Sequence, residues 1–222
     1  MEFMVGIHVW SFRGVGVSNY QLSVATFNKL ARQYQDKYMQ MPLYEPTYAR
    51  LSELLGEQDK VLELACGPGN IARYLLARRP QLDYLGTDLA PQMVSLAREN
   101  NPTAQFEVMD CLAIGSLTEM FDAIVCGFCL PYLSRDEAKV LILAMARRLN
   151  AGGLLYLSTM EGDYAASKFQ TSSSGDQAFI YYHCGVWLSA ELSSAGFELL
   201  SCHRQDYPER GDVDLFIIAR LR

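Results

Sequence analysis

The chain has no run approaching the ~20 apolar residues a membrane-spanning helix needs. Its opening, MEFMVGIHVWSFRGVGVSNY, lacks the basic start and unbroken apolar core of a secretion signal. Positive charge is in the minority, with 19 Lys and Arg against 25 Asp and Glu and a net charge of −6. Phosphate backbones are gripped by clustered Lys and Arg. The only dense pairs here, Arg78-Arg79 and Arg147-Arg148, fall at expected helix C-termini, where positive charge is stabilising in its own right. Nucleic acid and membrane are therefore not expected partners. The six cysteines (66, 111, 126, 129, 184 and 202) are too scattered for the disulfide framework of a small secreted domain, so reduced thiols and the cytoplasm are expected. Cys126-x-x-Cys129 has no second CxxC to complete a zinc site, and a strand end denies it the helix N-terminus of a redox pair. No metal is expected. Histidine is scarce, three in all, and neither His8 nor His203 stands in a supporting context.

What is present is an ordinary globular composition, half hydrophobic, over 222 residues, which suffices for one well-cored domain. Residues 1–20 fit neither a strand nor a helix pattern and are read as an N-terminal extension; residues 21–222 form a single domain. Phe27, Leu30, Ala31 and Tyr34 share one helical face, Pro42 and Pro46 interrupt it, and a second helix is expected over 48–55. Strands at 60–64, 82–87, 104–109, 121–126 and 154–159 then alternate with helices at 70–79, 91–100 and 135–149. Such alternation implies crossover connections and a mostly parallel, Rossmann-like doubly wound α/β sheet with helices on both faces. Residues 161–177, rich in Ser, Gly and Asp, read as a lid-like loop. They are followed by a short strand at 178–183 and a helix at 186–195. Strands at 197–204 and 214–220 complete seven, and the short turn between them makes the last one antiparallel.

The chemistry concentrates at the carboxyl ends of the strands. VLELACGPGN (61–70) is a strand, an acid, a glycine turn and a helix start. Gly67 and Gly69 allow a sharp bend and close approach of a ligand to the main-chain N–H groups. Gly67-x-Gly69-x-x-Ala72 also matches a dinucleotide fingerprint. In that pattern, however, the strand runs straight into the first glycine, whereas here Glu63 sits beneath a longer loop and would repel a pyrophosphate. A carboxylate there suits a ligand carrying positive charge or hydroxyls, such as S-adenosylmethionine. Asp88 ends the second strand, where it can accept two ribose hydroxyls or cap the helix that Pro91 opens. Asp110-Cys111 follows the third strand. The acid can accept an adenine amine while the next N–H donates to a ring nitrogen, or the acid can serve as a turn cap. After the fourth strand, CGFCLPYL (126–133) offers carbonyls from Cys126 onward for an ammonium, with Phe128 and Tyr132 as walls of a reaction site.

Taken in order, ELACGPG, TDLAPQM, EVMDC, FDAIVCGFCLPYL and LNAGGLLYLS resemble the motif series of class I S-adenosylmethionine-dependent methyltransferases, in the small-molecule branch related to ubiquinone biosynthesis. The resemblance extends from about residue 27 to 220. It departs at Ala65, where the family pattern has a glycine. It implies that Glu63 and the backbone of Ala65, Cys66, Gly67 and Gly69 hold the methionine part. Asp88 would take the ribose, with Leu89 and Met93 of the same motif among the cofactor contacts, and Asp110 with Cys111 the adenine. Tyr34 resembles the N-terminal-helix tyrosine that reaches the cofactor carboxylate, or it packs an amphipathic helix.

Methyl transfer from a sulfonium is an in-line displacement in which alignment and desolvation supply much of the rate. A base is required only when the acceptor must lose a proton. His183 is the candidate, beside Tyr181 and Tyr182 in a segment expected to face the acceptor; the other reading is a core histidine. Cys66, Cys111 and Cys126 are expected together at the rim of the site, as thiols open to alkylation or as small buried hydrophobes. Two further readings stay open: a nicotinamide-dependent (NAD(P)) oxidoreductase, and a non-catalytic cofactor-binding module.

Overall fold

A computed structural model describes residues 19–172, 175–208 and 211–222. In chain order the elements begin with three helices, α1 (Asn19–Lys29), α2 (Ala31–Tyr38) and α3 (Glu45–Leu54). Then come β1 (Lys60–Leu64), α4 (Asn70–Arg78), β2 (Asp83–Asp88), α5 (Pro91–Asn100), β3 (Gln105–Val108) and β4 (Phe121–Gly127). The chain continues with α6 (Arg135–Ala146), β5 (Leu149–Glu161), β6 (Lys168–Thr171), β7 (Gln177–Ile180), α7 (Gly185–Ser194), β8 (Phe197–Tyr207) and β9 (Asp212–Leu221). Seven strands form one sheet in the order β3-β2-β1-β4-β5-β9-β8, and β6 and β7 pair separately as a hairpin. All neighbours are parallel except β9, which runs antiparallel to both β5 and β8.

The sheet is buried on both sides because its central strands are apolar at successive positions. Val61, Ala123, Val125 and Tyr156 join a core with Leu51 of α3, Leu75 of α4 and Val94 of α5. Their strand neighbours Leu62, Leu64, Ile124 and Leu155 point the other way, toward Leu141 of α6 and Leu188 of α7. Helix starts follow local chemistry. Pro91 occupies the first turn of α5. At α6, Ser134 and Glu137 form a reciprocal capping box.

Several boundaries differ from the sequence reading. The first helix starts at Asn19, inside the segment read as an extension, and breaks at Leu30 into α1 and α2; His8 lies outside the described residues. Pro46 does not interrupt a helix but sits in the first turn of α3, where its missing N–H costs nothing. Helix α6 ends at Ala146, and β5 already begins at Leu149. Gly152 takes a positive φ of 77° there, and the register with β4 shifts between Phe121 and Ala123. The 161–177 stretch read as a loop contains a 3-10 turn (Tyr164–Ala166) and β6, which pairs with β7. Its composition concealed a two-stranded edge whose order comes from packing on α1. Thr26 Oγ1 donates to the Gln177 carbonyl at 2.7 Å, and Lys29 pairs with Asp176 at 2.7 Å. The arginine pairs do sit at helix ends: Arg79 Nε donates to the Ser52 carbonyl at 3.1 Å and Arg148 Nη2 to the Gly115 carbonyl at 2.6 Å.

Candidate functional site

Between β1 and α4 the backbone turns left-handed three times in five residues, at Ala65 (φ 52°), Gly67 (φ 55°) and Gly69 (φ 80°). The two glycines serve different ends. A Cβ on Gly69 would collide with the Asn101 amide, which donates to the Gly69 carbonyl at 3.0 Å and ties α4 to α5. A Cβ on Gly67 would meet only the Tyr34 ring, at 3.8 Å. What Gly67 supplies is its φ and a bare face toward a cleft. Ala65, at the departure from the family pattern, holds the left-handed conformation with a methyl group and carries the associated strain.

Two acids flank this turn. Asp88, at the end of β2, accepts from Gly67 N–H at 2.9 Å and from Ala90 N–H at 2.8 Å. It thus ties the turn to the residue that precedes α5. Desolvation raises its pKa, opposed by the backbone N–H donors of Ala90, Gly67 and Leu89. Each carboxylate oxygen has a second lone-pair site left for a ligand hydroxyl. Glu63 is only 1% exposed and accepts from the Tyr84 hydroxyl at 2.8 Å. Burial pushes its carboxyl up to about 8, against the lowering effect of that hydrogen bond. Its protonated form is therefore the favoured one at neutral pH in the absence of a neighbouring cation.

A cleft lies over the turn in two lobes that share Tyr34, Ala65, Gly67, Gly127 and Phe128 as walls. Asp88, Leu89, Met93, Cys111 and Tyr132 line the first lobe. Glu63 and Cys66 line the second. The structure therefore brings together most of the residues read from the sequence. Phe128 stands at the junction in a left-handed conformation (φ 50°), its N–H bonded to the Ser158 carbonyl and hydroxyl, both at 3.1 Å.

Other expected residues sit elsewhere. Gly69 supports the turn from behind. Asp110 caps the 3-10 turn Cys111–Ser116 by accepting from Leu112 N–H at 2.9 Å, and the same oxygen accepts from the Tyr20 hydroxyl at 2.9 Å. Cys126 faces the α6 core, while Cys129, three residues on, reaches the cleft. Tyr181 packs beside Tyr164 and Phe179. Tyr182 joins Met160 and Ile180 in a small cluster against Phe128 and Tyr132. Neither tyrosine is among the cleft-lining residues.

His183 is a core histidine. It is fully buried, its Nε2 lies 3.1 Å from the carbonyls of both Leu130 and Leu133, and its ring stacks on Trp187. Two carbonyl partners require Nε2 to carry the proton. Desolvation lowers its pKa, opposed by those same bonds. The side chain lines neither lobe, so the general-base reading has no geometry behind it.

The sequence reading missed two groups. Tyr20 and Phe27 of α1 close the first lobe, with Phe27 edge-on to Tyr132 at 4.9 Å. Tyr38, Tyr44 and Tyr48 wall the second lobe with Met41. The recurrence of tyrosine at 34, 38, 44 and 48 was visible, but only folding shows that all four line the lobe that Glu63 lines. Among the described residues, no helix is long and apolar enough to cross a membrane.

Comparisons with known proteins agree with this geometry. Residues 61–153 match the model of a methyltransferase domain. A trans-aconitate 2-methyltransferase of Variovorax paradoxus is 32% identical over 127 residues, 57% of this chain and 46% of that protein. A ubiquinone biosynthesis O-methyltransferase of Xanthomonas oryzae pv. oryzae is 29% identical over 157 residues, 66% of this chain and 64% of that protein. The chain spans half or less of the length of several curated relatives it matches. Among solved structures, the fold resembles a 1,6-didemethyltoxoflavin-N1-methyltransferase of Burkholderia thailandensis, crystallised with 1,6-didemethyltoxoflavin and S-adenosylhomocysteine. The TM-score is 0.71 at 19% identity, over 95% of this chain and 92% of that one. In fold, motif order and the domain matched over residues 61–153, the chain is similar to the class I S-adenosylmethionine-dependent methyltransferases.

Proposed function

We propose that this protein transfers a methyl group from S-adenosylmethionine to a small-molecule acceptor. The observation that carries the reading is the two-lobed cleft, with hydroxyl-accepting Asp88 on one side of the glycine turn and cation-seeking Glu63 on the other. The first lobe, with Asp88, would hold a nucleoside and the second, with Glu63, an amino acid, the two joining at the shared walls. When bound, S-adenosylmethionine supplies an electrophilic methyl group on its sulfonium. The chain's own part is to bind, align and exclude water. Asp88 would hold the ribose hydroxyls, Cys111 at the lobe wall would meet the adenine, and the bare face of Gly67 would let the ligand lie against the backbone. Glu63 ionises to pair with the ammonium, and the ring of Tyr34 covers the junction. Phe27, Phe128 and Tyr132, at the end of the first lobe away from Asp88's ribose site, would give the acceptor an apolar surface beside the cofactor for in-line approach.

The small-molecule acceptor is favoured over nucleic acid by the net charge of −6. The six free cysteines favour a reducing compartment, the cytoplasm. A nicotinamide-dependent oxidoreductase is disfavoured by Glu63, which stands where a pyrophosphate would need donors. Titration calorimetry with S-adenosylhomocysteine and with NAD(H) separates the two. Binding of NAD(H) alone would end the methyltransferase reading. Labelled methyl donor incubated with a metabolite extract should then yield a labelled small product, and a cofactor-binding module would yield none.

A further inference from the structure

The cleft contains a pair of thiols that methyl transfer does not use. Cys111 begins the 3-10 turn after β3 and Cys129 lies in the turn after β4; both line the first lobe. Eighteen residues apart in sequence, their sulfurs are in contact at 3.5 Å. The Tyr20 hydroxyl of α1 touches Cys111 Sγ at 3.6 Å while donating to Asp110, so this helix shields the pair. The other cysteines differ. Cys66 faces the second lobe, Cys126 shares the α6-side core with the pair and neighbours Cys129 without lining the cleft, and Cys184 and Cys202 lie away from the cleft toward the surface.

We infer that Cys111 and Cys129 form an oxidisable dithiol, a modification site at which a hydroperoxide closes the first lobe by making a disulfide. One thiol, as its thiolate, attacks the peroxide oxygen. The O–O bond breaks, the outer oxygen leaves as alcohol or water, and that cysteine becomes a sulfenic acid. The second thiol displaces the sulfenic oxygen as water, forming the S–S bond. In sum, two thiols and one hydroperoxide give one disulfide, one alcohol and one water, and the peroxide is reduced.

Contact sulfurs must close to about 2.05 Å for this bond. Cys111 opens one 3-10 turn and Cys129 precedes another, so the approach falls on turns and not on the regular strands of the sheet. That movement draws Asp110-Cys111 toward the β4 turn and disturbs the wall of the first lobe. The contact with Cys129, then burial, raises the Cys111 thiol, and Cys126 together with burial raises Cys129 against the lowering effect of Cys111, so both thiols stay protonated and react slowly. A ligand in the first lobe covers both sulfurs and protects them. This protection rests on the cofactor reading, whereas disulfide formation does not.

The test uses the full chain with hydrogen peroxide, free thiols then being blocked by alkylation. Cleavage after Glu107, Glu119 and Glu137 puts Cys111 in peptide 108–119 and Cys126 with Cys129 in peptide 120–137. The proposal expects these peptides to stay joined until reduced, in wild type and in Cys126→Ala but not in Cys129→Ala. It also expects at least tenfold slower joining with saturating S-adenosylhomocysteine and at least tenfold weaker binding of that ligand after oxidation. Thermal melts of both variants verify folding. Joining that survives in Cys129→Ala, peptides that never join although Cys202 oxidises, or oxidised protein with unchanged affinity would each overturn it. If reduced protein fails to bind S-adenosylhomocysteine while the peptides still join, the cofactor reading fails and the dithiol stands.

Discussion

Glu63 provides the sharpest test, because two observables must move together with pH. Its carboxyl is raised from an ordinary 4.5 to about 8 by burial. A carboxyl raised on folding contributes stability that is full below about 4.5 and fades as pH climbs through 8. At about 1.4 kcal/mol per pH unit, that interval sets a ceiling of about 5 kcal/mol on the loss. The ligand-free protein should therefore melt at a lower temperature at pH 8 than the same group would allow at pH 5, and Glu63→Gln should remove that part of the pH dependence. Cofactor binding runs the opposite way. An ammonium beside Glu63 favours the charged form, so binding releases a proton. Affinity for S-adenosylhomocysteine should then rise by up to about tenfold per pH unit between 6 and 8. Calorimetry in two buffers of different ionisation enthalpy counts the released proton, and Glu63→Gln corrects for titration of the ligand's own amine. Identical proton release and identical pH slopes in wild type and Glu63→Gln would refute the reasoning.

Gly69→Ala places a methyl group against Asn101 at a φ of 80°, and urea unfolding should show a loss of roughly 2–4 kcal/mol. Ala65→Gly relieves a left-handed alanine at φ 52° and should raise stability by about 0.5–1 kcal/mol in the same assay. Asp88→Asn cannot accept from both Gly67 and Ala90 N–H without turning an amide donor toward one of them; calorimetry should show S-adenosylhomocysteine affinity falling at least about tenfold, roughly 1.4 kcal/mol. His183→Ala should cost roughly 2–4 kcal/mol of stability and leave that affinity within about twofold, as expected of a core side chain. The wild-type histidine, its pKa lowered on folding from 6.5, contributes stability above that pH and loses it as pH falls.

The sequence alone determined what depends on neighbours along the chain. The period of apolar residues, the glycine turn at 67–69 and the order of acids at strand ends located five of the sheet's strands closely and placed Glu63, Asp88 and Cys111 at one edge. A parallel sheet aligns its strand ends by construction, so a motif at each strand end is a motif in one cleft. The tertiary structure decided what depends on residues far apart. His183 became a core residue because the carbonyls of the 130–133 turn and the Trp187 ring of α7 close on it, and no local pattern distinguishes that from a base. The Tyr38, Tyr44 and Tyr48 wall arises from how α2 and α3 lie across the second lobe. The protonated state of Glu63 comes from its burial and not from its position in a motif. Cys129 rather than Cys126 met Cys111 because the chain leaves β4 at Gly127 and the turn that follows carries Cys129 to the turn after β3, a juxtaposition of residues eighteen apart.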